Sequence, residues 1–300
     1  MSKKILPFIF LAGTLFLLLA FPELTLTYAK NGLLIWYQKM VPALLPMMIL
    51  TSCMIKTNLT ESFSQLLHPV TKKLYHLSPN GTYALFVGFL CGFPIGAKTI
   101  CELYTGKKLS KKEADLLLPI CNNIGPVFML SYGLKTFLNK NIYFVLMTFY
   151  AIPLLYALFL FNKKSFQKSL VESKHKSPFC VALDESISES ASGILSLGGY
   201  LMFFNILSIV PLKLFEQSPK WTYFSTCILE ITNGLSHKAL LPPYFILSLI
   251  QFGGICCIFQ TIKYISKTDL SIKRYIMHKT VMSILTFGVF LVLEAFFSVF

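Results

Sequence analysis

Charge is what this chain of 300 residues has least of. Only 13% of its residues are charged, against about 25% in soluble domains. Hydrophobic residues make up 55%, and mean hydropathy is +0.65. A soluble chain of that composition could not cover its surface with polar atoms, so a large water-soluble domain is excluded. Acids are the scarcer charge: 13 Asp and Glu stand against 27 Lys and Arg, a net charge of +14. No basic-aromatic patch of the RNA-binding kind accompanies that excess, so nucleic acid is not expected as a partner. The basic residues fall between apolar runs, where they set orientation and meet the headgroups of a lipid bilayer. The chain also lacks C-x-x-C pairs, H-E-x-x-H and a P-loop. A zinc site or disulfide framework is therefore not expected, and the eight cysteines read as small buried hydrophobes. The serine-rich run Ser186–Ser196 has no base at motif spacing. Ser188, Ser192 and Ser196 fit the small-residue face of a packed membrane helix instead. Neither enzymatic chemistry nor a cofactor is expected.

What is present is a series of apolar runs near the roughly 20 residues that a spanning helix needs. Ile5–Phe21, Met40–Ile55, Ile142–Phe161 and Ile194–Leu212 are uncharged, and Thr280–Phe300 carries one acid, Glu294. Glu294 reads as lying near the membrane face. Gly81–Ala97, Leu116–Leu134 and Leu240–Ile262 are apolar but interrupted by Gly, Pro or Asn. Lys3 and Lys4 precede the first run and no A-x-A motif follows it, so it reads as an uncleaved span. Thr60–Leu74 mixes apolar residues with Glu61, Gln65, His68 and Lys72 and reads as an interfacial helix. The fold class is all-α: a polytopic transmembrane helix bundle.

Asn162–Pro178 is the clearest boundary, with Lys163, Lys164, Lys168, Lys174, His175 and Lys176. Positive-inside bias puts it in the cytoplasm, together with the N-terminus. The segments on its two sides look alike. Asn31–Leu59 matches Ser186–Leu214, and Cys91–Ser110 matches Phe252–Ser271, at offsets of about 155 and about 161 residues. Both members of the second pair have Gly in second place, Thr near the middle and a polar basic turn closing in Leu-Ser. We read an internal duplication and divide the chain into a first span (1–28), a first repeat with a connecting span (29–162), a basic linker (163–180) and a second repeat (181–300). Crossings counted from a cytoplasmic N-terminus give two inverted repeats, each with a re-entrant or broken helix, a plan common among transporters. That count puts Lys267, Lys273, Arg274, His278 and Lys279 outside, against the positive-inside rule.

The segments that could carry chemistry lie at the interruptions. In Gly88–Lys98, Gly92, Pro94 and Gly96 fall at alternate positions. Proline removes an N–H, and glycine lowers the cost of leaving helix geometry. Unpaired amides in hydrocarbon cost several kcal/mol, so such backbone belongs inside protein or beside water. Non-helical backbone is expected near Phe93–Gly96 and near Asn123–Pro126. Lys98 and Glu102 stand one turn apart on one helical face, either as a snorkelling pair or as a functional one. Asn122, Asn123, Gly125 and Pro126 mark the second interruption; the amides can satisfy freed carbonyls, bind a polar solute or coordinate an ion. Glu230 and Asn233 in LEITNGL, and Gln260 and Thr261 after Gly253-Gly254, are the polar residues of the second half.

The run Gly92-Phe93-Pro94-Ile95-Gly96-Ala97-Lys98, a basic turn, and then Cys121-Asn122-Asn123-Ile124-Gly125-Pro126 resembles the YlbJ-type sporulation integral membrane proteins, within the nucleoside-recognition or Gate group. That group also includes spore maturation proteins and parts of nucleoside and ferrous-iron transporters. Leu229–Gly234 and Phe252–Thr261 fit its second half, and the resemblance covers roughly Ala29–Phe300. The chain is shorter than expected of typical members, and its second hairpin lacks the proline. The resemblance implies a multi-pass protein of the cell membrane. It is either transporter-like, with a polar solute such as a nucleoside, or a cation, bound between broken helices, or a non-transporting component of a sporulation membrane assembly. Gly92, Pro94, Gly96, Lys98, Glu102, Asn122, Asn123, Gly125, Glu230, Asn233, Gln260 and Thr261 are the candidate site residues. Self-association into a homo-oligomer is left open.

Overall fold

The computed structural model describes residues 2–130, 141–161, 177–232 and 240–300, and among these every regular element is a helix. In chain order they are α1 (Ser2–Ala20), α2 (Pro22–Ile35), α3 (Val41–Lys56), α4 (Thr60–Ser64), α5 (His68–Tyr75), α6 (Pro79–Cys91), α7 (Ile95–Thr105), α8 (Lys111–Cys121) and α9 (Pro126–Phe128). They continue with α10 (Ile142–Phe161), α11 (Phe179–Leu207), α12 (Ile209–Leu214) and α13 (Pro219–Leu229). The last three are α14 (Pro243–Phe252), α15 (Gly254–Ile265) and α16 (Ile272–Phe297). A π-helical turn, Trp36–Met40, joins α2 to α3 without a break.

Among the described residues, five helical stretches are long and apolar enough to cross a bilayer: Pro22–Lys56, Ile142–Phe161, Phe179–Leu214, Pro243–Ile265 and Ile272–Phe297. Large hydrophobic side chains face outward along them, among them Leu50, Phe159, Leu195, Ile284 and Phe296. Water would penalise that surface and lipid does not, so the chain is an integral membrane protein. α1 is shorter and touches the rest mainly through α2; Leu6, Phe8, Phe16 and Leu19 are all more than 70% exposed.

The interior has two apolar clusters. One gathers α6, α7 and α8 against α3, α11 and α15; the other gathers α10, α13, α14 and α16. The first long segment crosses α11 at close range. A methyl on Gly32 would lie 2.9 Å from the Met202 Cα, and one on Gly198 would lie 2.8 Å from the Trp36 ring, whose Nε1 donates to Ile194 O at 2.7 Å. The small residues buried on α11 are Ala182, Ser186, Ser190, Gly193 and Gly198. The face expected from sequence, Ser188, Ser192 and Ser196, is turned away from that contact, because the helix phase is set by the glycines. The expected interfacial helix is two short ones, α4 and α5, split at Gln65–Leu67. Leu66 and Val70 point outward, while Thr60, Glu61 and Asn80 are joined by hydrogen bonds.

Two hairpin-like segments have parallel local chemistry. α6 ends at Gly92 with φ +75°, and α7 starts at Ile95; α14 ends at Gly253 with φ +91°, and α15 starts at once. Both glycines occupy the left-handed region that a side chain resists. After α7 and α15 come short turns ending at Ser110 and Ser271. Each serine caps the next helix, accepting from the N–H three residues on, Glu113 and Arg274. α7 and α15 pack against each other, which brings the two segments together.

Candidate functional site

The backbone crossing comes first, because it positions everything else. Between α6 and α7 the chain is non-helical over Gly92–Pro94, and between α8 and α9 over Asn122–Gly125. The two stretches lie against each other, with Phe93 N donating to Asn123 O at 2.6 Å. Glycine is required here by space. A methyl on Gly96 would sit 2.2 Å from Cys121 O, one on Gly88 2.4 Å from it, and one on Gly92 2.3 Å from Gly125 N. Side-chain-free backbone therefore lets α6, α7 and α8 touch directly, and the crossing is packed dry.

Asn122 and Asn123 stand at the carbonyl end of α8 and are 0% and 1% exposed. Asn122 Nδ2 donates to Thr261 Oγ1 and to the Tyr275 hydroxyl, both at 2.8 Å. Gln251 Nε2 donates to Asn123 Oδ1 at 3.1 Å. The lysine at this point is Lys279, 1% exposed, whose Nζ donates to Asn123 Oδ1 at 3.0 Å and to Asn122 O at 3.2 Å. No carboxylate forms an ion pair with Lys279 among the described residues. Asn122 Oδ1 and Gln251 Oε1 are buried and accept no hydrogen bond.

Lys98 is in a different place. It is 3% exposed, and its Nζ lies 2.7 Å from Glu102 Oε1 and 2.8 Å from Ser52 Oγ. Ser52 Oγ is also within hydrogen-bond reach of both Glu102 oxygens. Lys98 and Glu102 form one wall of a cavity of about 470 Å³. Cys101 and Thr105 extend that wall, while Ser188, Glu189, Ser192, Lys263, Tyr264 and Lys267 are among the lining residues from the second half. Lys263 Nζ is held by Ser196 Oγ at 2.6 Å and by Ser192 O at 3.2 Å. Just outside, Lys56 bridges α3 to Glu185 and Glu189 of α11, at 2.8 Å each.

The turns following α7 and α15 are locked by charge. Asp115 is buried; it accepts from Ser271 N at 2.9 Å and pairs with Arg274 at 3.0 Å. Exposed Asp269 meets Lys111 at 2.5 Å and the Tyr104 hydroxyl at 2.6 Å. Lys111, then Tyr104, hold its carboxyl below the usual carboxylate range, and Asp269 in turn pushes the Tyr104 hydroxyl up to about 12.

The residues singled out from sequence thus divide. Gly92, Pro94, Gly96 and Gly125 form the dry crossing. Asn122, Asn123 and Thr261 meet in the amide cluster. Lys98 and Glu102 line the cavity, and no hydrogen bond joins Lys98 to either asparagine. Gln260 is buried but donates to its own helix, at Cys256 Sγ. Glu230 is buried where α13 ends, beside the Gly254 turn; its Oε1 accepts from Thr232 N at 2.9 Å and its Oε2 accepts nothing. Asn233 lies outside the described residues. Sequence reasoning grouped Lys279 with the loop charges; the structure puts it two turns inside α16. The Ser271 cap was the available signal, since a helix starting at Ile272 carries residue 279 about 10 Å inward. Tyr275 and Gln251 were missed as well, having no motif around them.

Comparison with known proteins follows the same contours. The Gate family, described as nucleoside recognition, matches residues 37–164, which hold α3, the dry crossing, Lys98, Glu102 and both asparagines. The sporulation integral membrane protein YlbJ of Bacillus subtilis is 24% identical over 293 residues, covering 88% of this chain and 67% of that protein. No solved structure matches the chain. The resemblance read from the glycine-proline-lysine and asparagine-glycine-proline runs therefore holds: this is an integral membrane protein whose residues 37–164 match the Gate family and which is similar over most of its length to the sporulation integral membrane protein YlbJ.

Proposed function

We propose that the chain is a transporter-like membrane protein that binds a small polar solute in the cavity beside Lys98 and Glu102. The observation that carries this reading is the cavity itself. Its volume of about 470 Å³ falls within the few hundred to 1,000 Å³ typical of small-molecule sites. Its walls come from both halves of the chain, so relative movement of the halves would open or close it. Cationic and anionic side chains, hydroxyls and a tyrosine ring face it, a set that suits a solute with both hydrogen-bonding groups and a flat face. A nucleoside has these properties, and the name of the matching family supports testing one first.

The parallel chemistry at Gly92 and Gly253, and at Ser110 and Ser271, supports a duplicated architecture with two broken-helix units. Inverted orientation of those units, a cytoplasmic N-terminus and residence in the cell membrane complete the reading. A second reading, a non-transporting component of a sporulation membrane assembly, is favoured by two observations: the dry packing at the helix crossing and the similarity to YlbJ.

The test is binding and proteoliposome uptake by the purified protein across a panel of nucleosides and cations. A saturable ligand is expected, with at least about a tenfold loss of affinity, roughly 1.4 kcal/mol, in Lys98→Met. Because that change strands Glu102, Lys98→Met with Glu102→Gln serves as the folding control, stable yet still impaired. Absence of any saturable ligand, together with full rescue of a YlbJ-deficient Bacillus subtilis strain by Lys98→Met, would decide for the assembly role.

A further inference from the structure

The amide cluster presents a problem that the cavity does not share. A lysine inside a membrane helix, out of water and without an acid to pair with, is costly. Lys279 nonetheless points into the protein, at two neutral oxygens: the main-chain carbonyl of Asn122 and the side-chain carbonyl of Asn123. These oxygens end α8, where the aligned peptide dipoles concentrate partial negative charge. The amides that build the cluster carry two more oxygens, Asn122 Oδ1 and Gln251 Oε1, which are buried and accept from nothing. Neutral carbonyl oxygens gathered at the end of a half-helix are the donor set by which membrane proteins hold bare monovalent cations. An ammonium matches such an ion in charge and approximate size.

We infer that the carbonyl end of α8 at Asn122 and Asn123 is a monovalent-cation site whose occupant in this chain is the ammonium of Lys279. The lysine arrives on α16, from the other half of the chain, so the tethered cation also fastens the two halves across the crossing. The groups around it fit this role. Tyr275 on α16 is engaged by Asn122, and His278 faces Tyr156 of α10. Cys257 of α15 and Cys121 of α8 are buried free thiols, so none of these neighbours supplies a standing negative charge. Glu230 is buried beside the start of α15 and makes no ion pair with Lys279.

The experiment is thermal unfolding of detergent-solubilised full-length protein in choline chloride, sodium chloride or potassium chloride at equal ionic strength. Wild type should unfold at the same temperature in all three. Lys279→Ala should be less stable in choline and should rise by at least about 4 °C in sodium or potassium, the cation now filling the vacated position. Asn123→Ala added to Lys279→Ala should abolish that rise. Lys279→Met, which keeps the stem and closes the space, should be destabilised without any cation response. Equal stability of Lys279→Ala in all three salts would overturn the inference. Failure of Lys279→Ala to yield folded protein in any salt would overturn it too, because the site predicts rescue by a small cation. None of these readouts depends on the Lys98 cavity, so the two proposals fail separately.

Discussion

At the scale of single residues, space and charge make different demands, and only the first left a clear mark in the sequence. Alternating Gly92, Pro94 and Gly96 announced a place where backbone meets backbone, and the Cys121 carbonyl 2.2 Å from a notional Gly96 methyl is the reason. Gly96→Ala should therefore force α7 from α8 and cost about 1–3 kcal/mol. Gly288→Ala, at a helix position with nothing within 4 Å, should instead be neutral or stabilising by up to about 1 kcal/mol. Unfolding temperatures of the two variants in one detergent check the contrast, and equal effects would remove the steric argument. Buried charge was harder to read. Lys98 and Glu102 were visible as an i, i+4 pair, but Lys279 has no partner in its own helix. A lysine held by residues 156 and 157 positions away leaves no local pattern to find.

Among elements, caps and turns decide how the two halves meet. Ser110 and Ser271 both end short basic turns, and the matched Leu-Ser pairs were legible before any geometry. That Asp115 reaches across to the second of these turns was not, since nothing about an acid in the first turns of α8 names a target 156 residues later. Asp115 satisfies a backbone N–H at the start of α16 and pairs with Arg274. Asp115→Ala should cost about 1–3 kcal/mol, whereas Arg274→Ala should cost under about 1 kcal/mol, because the arginine is largely exposed. Unfolding measurements on both variants would show whether the N–H or the charge pair dominates. Equal losses would point to the charge pair.

For the whole molecule, composition and run length were enough to establish an integral membrane protein, and the chain-wide similarity to a sporulation membrane protein agrees with that. Orientation is a separate matter, because a bundle and its mirror-placed counterpart have the same hydropathy. The duplicated reading makes a definite statement about it. Cys180, the exposed native cysteine at the start of α11, should react with an impermeant maleimide only from the cytoplasmic side. A cysteine replacing Lys273, in a Cys180→Ser background, should react from outside. Labelling of both from one side would refute inverted repeats. The long reach of the polar contacts also bears on how the chain is made. Asn122 waits for Lys279, 157 residues downstream, and synthesis at about 5–20 residues per second leaves a gap on the order of 10–30 s. During that interval the first half sits in the bilayer with Asn122 Nδ2, Asn123 Oδ1 and Asp115 lacking their second-half partners. Biogenesis of this protein thus includes an obligatory waiting state, in which the insertion machinery or neighbouring lipid headgroups must shelter a polar seam that the second half later closes.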